Sequence, residues 1–343
     1  MKALLLSEYK QLELADLPVP EPCEDELLVR VRACGICGSD VHGYDGSTGR
    51  RIPPIVMGHE AAGIVEAVGS AVSGFKPGDR VTFDSTIYCG DCFFCRRGEV
   101  NLCDRREVLG VSTPLFRRHG AFAEYVVVPA RVSYLLPDAL PFEHAAMIEA
   151  VSVAVHAVSL APIAKDDTVV VIGAGMIGLL VLQAARAAGA TKVMVVDIDP
   201  SRLEMARKFG AERVLNSREC DVVAEIAAVT SGRGAELAIE CVGTTATVKM
   251  AVDCVRKGGS VTLVGNVAPT VELGLQSVVS RQIRLQGSCA SSGEYPRCME
   301  LMASGAIQVA PLISKVAPLE DGVAWFERLY AGEPGLLKVV LQP

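Results

Sequence analysis

The stretch TVVVIGAGMIG, Thr168 to Gly178, decides the fold. A short β-branched apolar run reads as a buried strand. The glycines that follow it fit G-x-G-x-x-G, and LLVLQAARAAGA after them reads as a helix. In that setting Gly173 permits a tight turn and Gly175 lets a pyrophosphate approach the backbone. Gly178 lets helix and strand pack closely, with Met176 and Ile177 inside the turn. Phosphates are expected at the helix N-terminus, where free N–H groups and the helix dipole favour anions. Asp197 ends the next apolar run, KVMVVD, nineteen residues after Gly178. A carboxylate there accepts from both ribose hydroxyls and repels a 2′-phosphate. No arginine stands beside it, and Arg202 is placed to stack on the adenine or approach the ribose. The expected cofactor is therefore NAD rather than NADP.

Working outward, apolar runs alternate with amphipathic ones as far as Gly287: PSRLEMARKFGA, AELAIECVG, TVKMAVDCVRKGG and SVTLVG. This alternation predicts βαβ units and a doubly wound parallel sheet, a Rossmann domain over residues 154–288. Residues 1–153 differ. Short runs such as ELLVRVRACG, AAGIVEAVG and DRVTF, punctuated by Gly and Pro, predict a mainly β domain. After Gly287 the alternation stops, and GVAWFERLYAGEPGLLKVVLQP reads as a helix and a final strand. Residues 289–343 are expected to return to the first domain. The fold class is α/β.

Composition bounds the function. The chain has 343 residues, 50% of them hydrophobic and 21% charged, which is the balance of a folded two-domain protein. The net charge of −7 is spread along the chain without a basic block, which argues against nucleic acid as a partner. MKALLLSEYK lacks the apolar length and cleavage site of an export signal. The long apolar segment Val169–Ala190 is broken by glycines and closely followed by Lys192, so a membrane span is not expected. The default compartment is then the cytoplasm, where clustered cysteines bind metal more often than they form disulfides.

Four of the twelve cysteines, Cys89, Cys92, Cys95 and Cys103, are spaced C-x2-C-x2-C-x7-C. Four thiolates satisfy tetrahedral zinc with no open position, which makes a structural site. An iron–sulfur cluster is the competing reading. Two other fragments carry chemistry, GICGSDVH (Gly35–His42) and GHEAAG (Gly58–Gly63). Their Cys37 and His59 are the natural first ligands of a catalytic zinc, which needs about three protein ligands and an open position.

With these fragments assembled, the chain resembles the zinc-dependent medium-chain alcohol and polyol dehydrogenases along its whole length. The matching motifs are GICGSDVH, GHEAAGIVEAVGSAVSGFKPGDRV, the four-cysteine lobe, IGAGMIG and LLKVVLQP. The resemblance implies a GroES-like catalytic domain, a Rossmann domain and two zinc ions per chain. It implies catalytic-zinc ligation by Cys37 and His59, with Glu60 as an alternating or direct ligand. Glu149, in MIEAVSVAVHA, stands where simple alcohol dehydrogenases carry a cysteine, as in the sorbitol branch, although Ala150 replaces that branch's usual Pro. Ser39 and His42 match the proton-relay positions. Val242, Val264, Gly265 and Lys338 match further cofactor contacts. The implied activity is NAD-linked oxidation of a secondary alcohol, a polyol or sugar alcohol, by a homo-dimer or homo-tetramer. Alternatives on the same scaffold are a sugar-phosphate dehydrogenase of the galactitol-phosphate type, a threonine dehydrogenase and a butanediol dehydrogenase. A remoter one is a nucleotide-binding relative without catalysis. For a phosphorylated substrate, Arg50-Arg51 and Arg117-Arg118 are the candidate clamp. The polyol branch's Arg-Tyr pair after Gly287 is absent, since this chain reads GSCASSGEYP with Ser291 and Ser292.

Overall fold

A computed structural model of the chain describes residues 1–343. They group into two units. One holds Met1–Glu149, Tyr295–Ala303 and Val309–Pro343, the other Ala150–Glu294 and Ser304–Gln308. The brief return of Ser304–Gln308 to the second unit has a local cause. The Gln308 amide donates to Gln183 Oε1 at 2.7 Å, and Gln183 Nε2 donates to the Gln308 carbonyl at 3.2 Å.

The second unit is built on six parallel strands: β1 (Thr168–Ile172), β2 (Lys192–Asp197), β3 (Arg213–Asn216), β4 (Ala235–Glu240), β5 (Val255–Leu263) and β6 (Arg284–Gly287). Their order across the sheet is β3-β2-β1-β4-β5-β6. All five residues of β1 are buried, as expected of a central parallel strand covered on both faces. Between β2 and β4 the order reverses direction at β1, and ligands bind in the crevice at the carboxyl ends of such a switch point. The Gly173 turn opens there, with φ at +95°. A Cβ on Gly178 would sit 1.7 Å from the Gly173 carbonyl oxygen, so only glycine lets the helix Met176–Ala187 start so close to the strand. One local expectation fails. The tail VRKGG, expected to extend the helix before it, opens β5 instead, because Val255 pairs with Ala235 and the helix ends at Cys254.

The first unit centres on a seven-stranded sheet. The strand Glu26–Gly35 lies in its middle, antiparallel to Glu60–Val68 on one side. Its other side takes Tyr125–Pro129 along the first half and Lys338–Gln342 along the second. The last strand thus pairs within this unit. Leu27, Val29, Val31, Val65, Val81, Phe122, Phe326 and Leu341 lie in one core under the sheet. No helix in the structure is long and apolar enough to cross a membrane.

Candidate functional site

Sheet register builds the first cluster. Gly35 pairs with Glu60 on one side and Val340 on the other. The chain then turns at Cys37 into the short helix Gly38–Gly43. Cys37, His59 and Glu60 consequently converge, with ligand atoms all within 4.8 Å of one another. Thiol, imidazole and carboxylate at this spacing are a donor set that suits zinc. His59 is 6% exposed and Glu60 1%. Glu149 enters from the first turn of the helix Ile148–Ser159, outside the three-residue cluster but within electrostatic reach of His59, Glu60 and Asp84. Burial pushes its carboxyl up to about 7; His59 opposes this, and Glu60 and Asp84 reinforce it. Ser39 and His42 lie on the exposed side of the short helix.

Two partners of this cluster escape the sequence reading. Asp40 is fully buried, with Oδ1 3.3 Å from His59 Nδ1. Although burial opposes it, His59 and Arg51 hold the Asp40 carboxyl well below the usual range. Arg51 is only 3% exposed, donates to Asp40 at 2.9 and 3.3 Å, and reaches Ser39 Oγ at 3.4 Å. Arg51 is therefore no surface clamp residue. Arg118 is likewise paired with Glu26, and Arg117 donates to Ser112 Oγ at 3.2 Å. Only long-range contacts could reveal this, since Asp40 and Arg51 lie eleven residues apart in a loop-rich segment.

Lys338 is also buried. It donates to Glu60 Oε2 at 2.6 Å, to Oε1 at 2.8 Å and to the Ile36 carbonyl at 3.1 Å. Expected at a cofactor, it directs its ammonium to the Glu60 carboxylate and the Ile36 carbonyl. Gly35 makes room for the pair: a Cβ there would lie 2.3 Å from Glu60 Oε2.

The four cysteines of the lobe come together as free thiols, with ligand atoms within 4.8 Å. Cys89 Sγ lies 3.8 Å from Cys95 Sγ and 3.5 Å from Cys103 Sγ. Sulfurs on one tetrahedral zinc stand about 3.8 Å apart, given Zn–S of ~2.3 Å. Backbone N–H groups of Cys89 and Arg105 point at Cys103 Sγ, and that of Cys95 at Cys92 Sγ. The Cys95 amide is the main cause that brings the Cys92 thiol down to about 6.

In the second unit, a Cβ on Gly175 would meet nothing within 4 Å, which leaves the turn's face open for close approach. Asp197 is more occupied than the sequence suggests. Its carboxylate accepts from the amides of Ala174 (2.6 Å), Ile198 (2.7 Å) and Asp199 (2.9 Å). Arg202 is part-exposed, 3.7 Å from Asp199, which caps the following helix. Val242, Val264 and Gly265 follow the carboxyl ends of β4 and β5. Glu240, which the sequence reading passed over, lies fully buried at the end of β4.

Comparison with known proteins agrees with this geometry. The alcohol dehydrogenase GroES-like domain family matches residues 23–138, and the zinc-binding dehydrogenase family matches residues 177–304. Sorbitol dehydrogenase of Bacillus subtilis is 36% identical over 347 aligned positions, covering 100% of this chain and 97% of the relative. A zinc-binding dehydrogenase structure from Sinorhizobium meliloti, bound to NADP, is 35% identical with a TM-score of 0.91, covering 100% of this chain and 99% of the other. Galactitol-1-phosphate dehydrogenase from Escherichia coli is 30% identical with a TM-score of 0.92, and each chain covers the other completely. The chain belongs to the zinc-binding alcohol dehydrogenase family, joining a GroES-like domain to a Rossmann domain in an oxidoreductase of CH–OH groups.

Proposed function

We propose that the protein oxidises a secondary hydroxyl of an unphosphorylated polyol or sugar alcohol, with NAD as cofactor. The observation that carries this reading is the convergence of Cys37, His59 and Glu60, with the Glu149 carboxylate within their electrostatic reach. When bound, zinc would supply a Lewis acid for the substrate hydroxyl, and the nicotinamide would supply the hydride acceptor. Cys37 and His59 hold the metal, with Glu60 or Glu149 completing the set directly or through water. Asp40 fixes the His59 ring, as carboxylates beside metal-bound histidines do. Glu149, whose carboxyl is desolvated by burial, accepts a hydrogen bond from a hydroxyl next to the reacting one. Ser39 and His42 pass the released proton outward. The four-cysteine lobe holds a second, structural zinc. Its sulfur spacing supports a single ion rather than a cluster, whose thiolates spread over several irons.

The crevice of the second unit takes the dinucleotide. Asp197 disfavours a 2′-phosphate, and the NADP of one structural neighbour stays with that neighbour. The pairing of Arg51 with Asp40 and of Arg118 with Glu26 counts against the sugar-phosphate reading. The catalytic and nucleotide-binding roles fall to the first and second units respectively. A homo-dimer or homo-tetramer in the cytoplasm completes the reading, supported by free cysteines and by exposed Val267, Leu275 and Val279.

The test is a panel of polyols, phosphorylated polyols, diols, mono-alcohols and threonine with NAD, read by NADH absorbance. Vicinal diols and polyols are expected to exceed matched mono-alcohols in kcat/KM. Glu149→Ala is expected to lose most activity while NADH still binds. A fully active Glu149→Ala with the same substrate ranking overturns the assignment.

A further inference from the structure

Beyond the nucleotide turn itself, the loops after β4 and β5 hang from one side chain. Glu240 is 0% exposed at the last position of β4. Its Oε1 accepts the amides of Val242 and Gly243, both at 2.8 Å, and its Oε2 accepts the Gly243 amide again at 3.0 Å. Its backbone carbonyl accepts the amides of Val264 at 2.8 Å and Gly265 at 3.0 Å. Four amides from two loops thus converge on one residue. The loops also touch backbone to backbone, since a Cβ on Gly265 would lie 2.2 Å from the Gly243 nitrogen. The first loop reaches the nucleotide turn as well. A Cβ on Gly173 would lie 2.6 Å from Val242 Cγ2, and the Cys241 amide donates to the Ile172 carbonyl at 2.8 Å.

Sheet order says which part of the cofactor these loops meet. Asp197 ends β2, on one side of β1, and Glu240 ends β4, on the other. A dinucleotide laid across the switch point with its adenosine ribose toward Asp197 has its nicotinamide half toward β4 and β5. We propose that Glu240 is a positioning residue for the nicotinamide half of the cofactor: its carboxylate fixes Val242 and Gly243, and through them Gly265, at the height where the ring must lie. It does not touch the cofactor. The inference rests on the reading that the second unit binds a nicotinamide dinucleotide.

The experiment compares two ligands on the full-length, metal-loaded enzyme by titration calorimetry. NADH carries both halves and ADP-ribose lacks the nicotinamide. Glu240→Ala is expected to weaken NADH binding about tenfold or more while ADP-ribose stays within about twofold. This split is one that general destabilisation does not produce, because a collapsed crevice loses both ligands. Glu240→Gln keeps the oxygen that accepts both the Val242 and Gly243 amides, and it is expected to restore most of the difference. Should Glu240→Ala fail to fold, Glu240→Gln is read by hydrogen exchange, where faster exchange at Gly243, which loses its second acceptor, supports the inference and unchanged exchange overturns it. Equal NADH affinity in Glu240→Ala and the parent, or equal loss of NADH and ADP-ribose, overturns the positioning role alone. A parent enzyme that binds neither ligand overturns the dinucleotide reading and this inference with it.

Discussion

Replacing Lys338 by Met should destabilise the first unit far more than loss of a surface charge would. Lys338 is 3% exposed and Glu60 1%, and the ammonium lies 2.6 and 2.8 Å from the two carboxylate oxygens. The variant strands a carboxylate in a place sealed from water, with no other cation donating to it. Removing one partner of such a pair costs about 3–5 kcal/mol, most of it the desolvation of the charge left behind. Removing both charges is far milder. Glu60→Gln with Lys338→Met should recover to within about 1–2 kcal/mol of the parent, the price of imperfect hydrogen bonding. The assay is urea unfolding with zinc removed by a chelator, so that no metal replaces the missing cation. The chain has a single tryptophan, Trp325, and it lies in the first unit, so its fluorescence reports that unit. A loss under about 1 kcal/mol in the single variant, or a double variant as unstable as the single one, refutes the reasoning.

Two further outcomes follow from the same structure. Cys92→Ser removes one of four converging thiols, so zinc per chain should fall from two toward one by metal analysis; unchanged zinc, or an iron–sulfur chromophore in anaerobically purified parent protein, refutes the structural-zinc assignment. Asp197→Ala orphans the buried amide of Ala174, at a cost of about 1–3 kcal/mol, and releases those of Ile198 and Asp199 to solvent, so NADH affinity should fall at least tenfold while discrimination against NADPH narrows; unchanged NADH affinity in a fluorescence titration refutes the turn-holding role.

Much of this fold is legible in the sequence because its signals are local. TVVVIGAGMIG contains a strand, a turn and a helix start within one short window, and the alternation after it dictates a parallel sheet. The convergence of the cysteine lobe is legible for the same reason, since its four cysteines fall within fifteen residues. What the sequence hides is made by register. Nothing near Glu60 in the chain announces Lys338, 278 positions away, and only the pairing of three strands at Gly35 joins them. Arg51 reads as half of a surface arginine pair, yet the fold folds it inward against Asp40. Glu240 looks like any residue ending a strand, because its partners are backbone amides that carry no side-chain signature.

The placement of the final strand has a consequence for biosynthesis. Lys338–Gln342 fills the place beside Cys34 and Gly35, about 300 positions earlier in the chain. At ~5–20 residues per second, a ribosome takes about 15–60 s to add the intervening length. Through that interval the strand Glu26–Gly35 keeps an open edge at Cys34–Gly35, and Glu60 waits without its lysine. The second unit, almost continuous from Ala150 to Glu294, is free to close before the first is complete. A nascent chain, or one that lacks Lys338–Gln342, therefore displays the proposed zinc ligands on an unfinished sheet. Unpaired strand edges invite association with other chains, so quality control of this protein bears on the strand Lys338–Gln342.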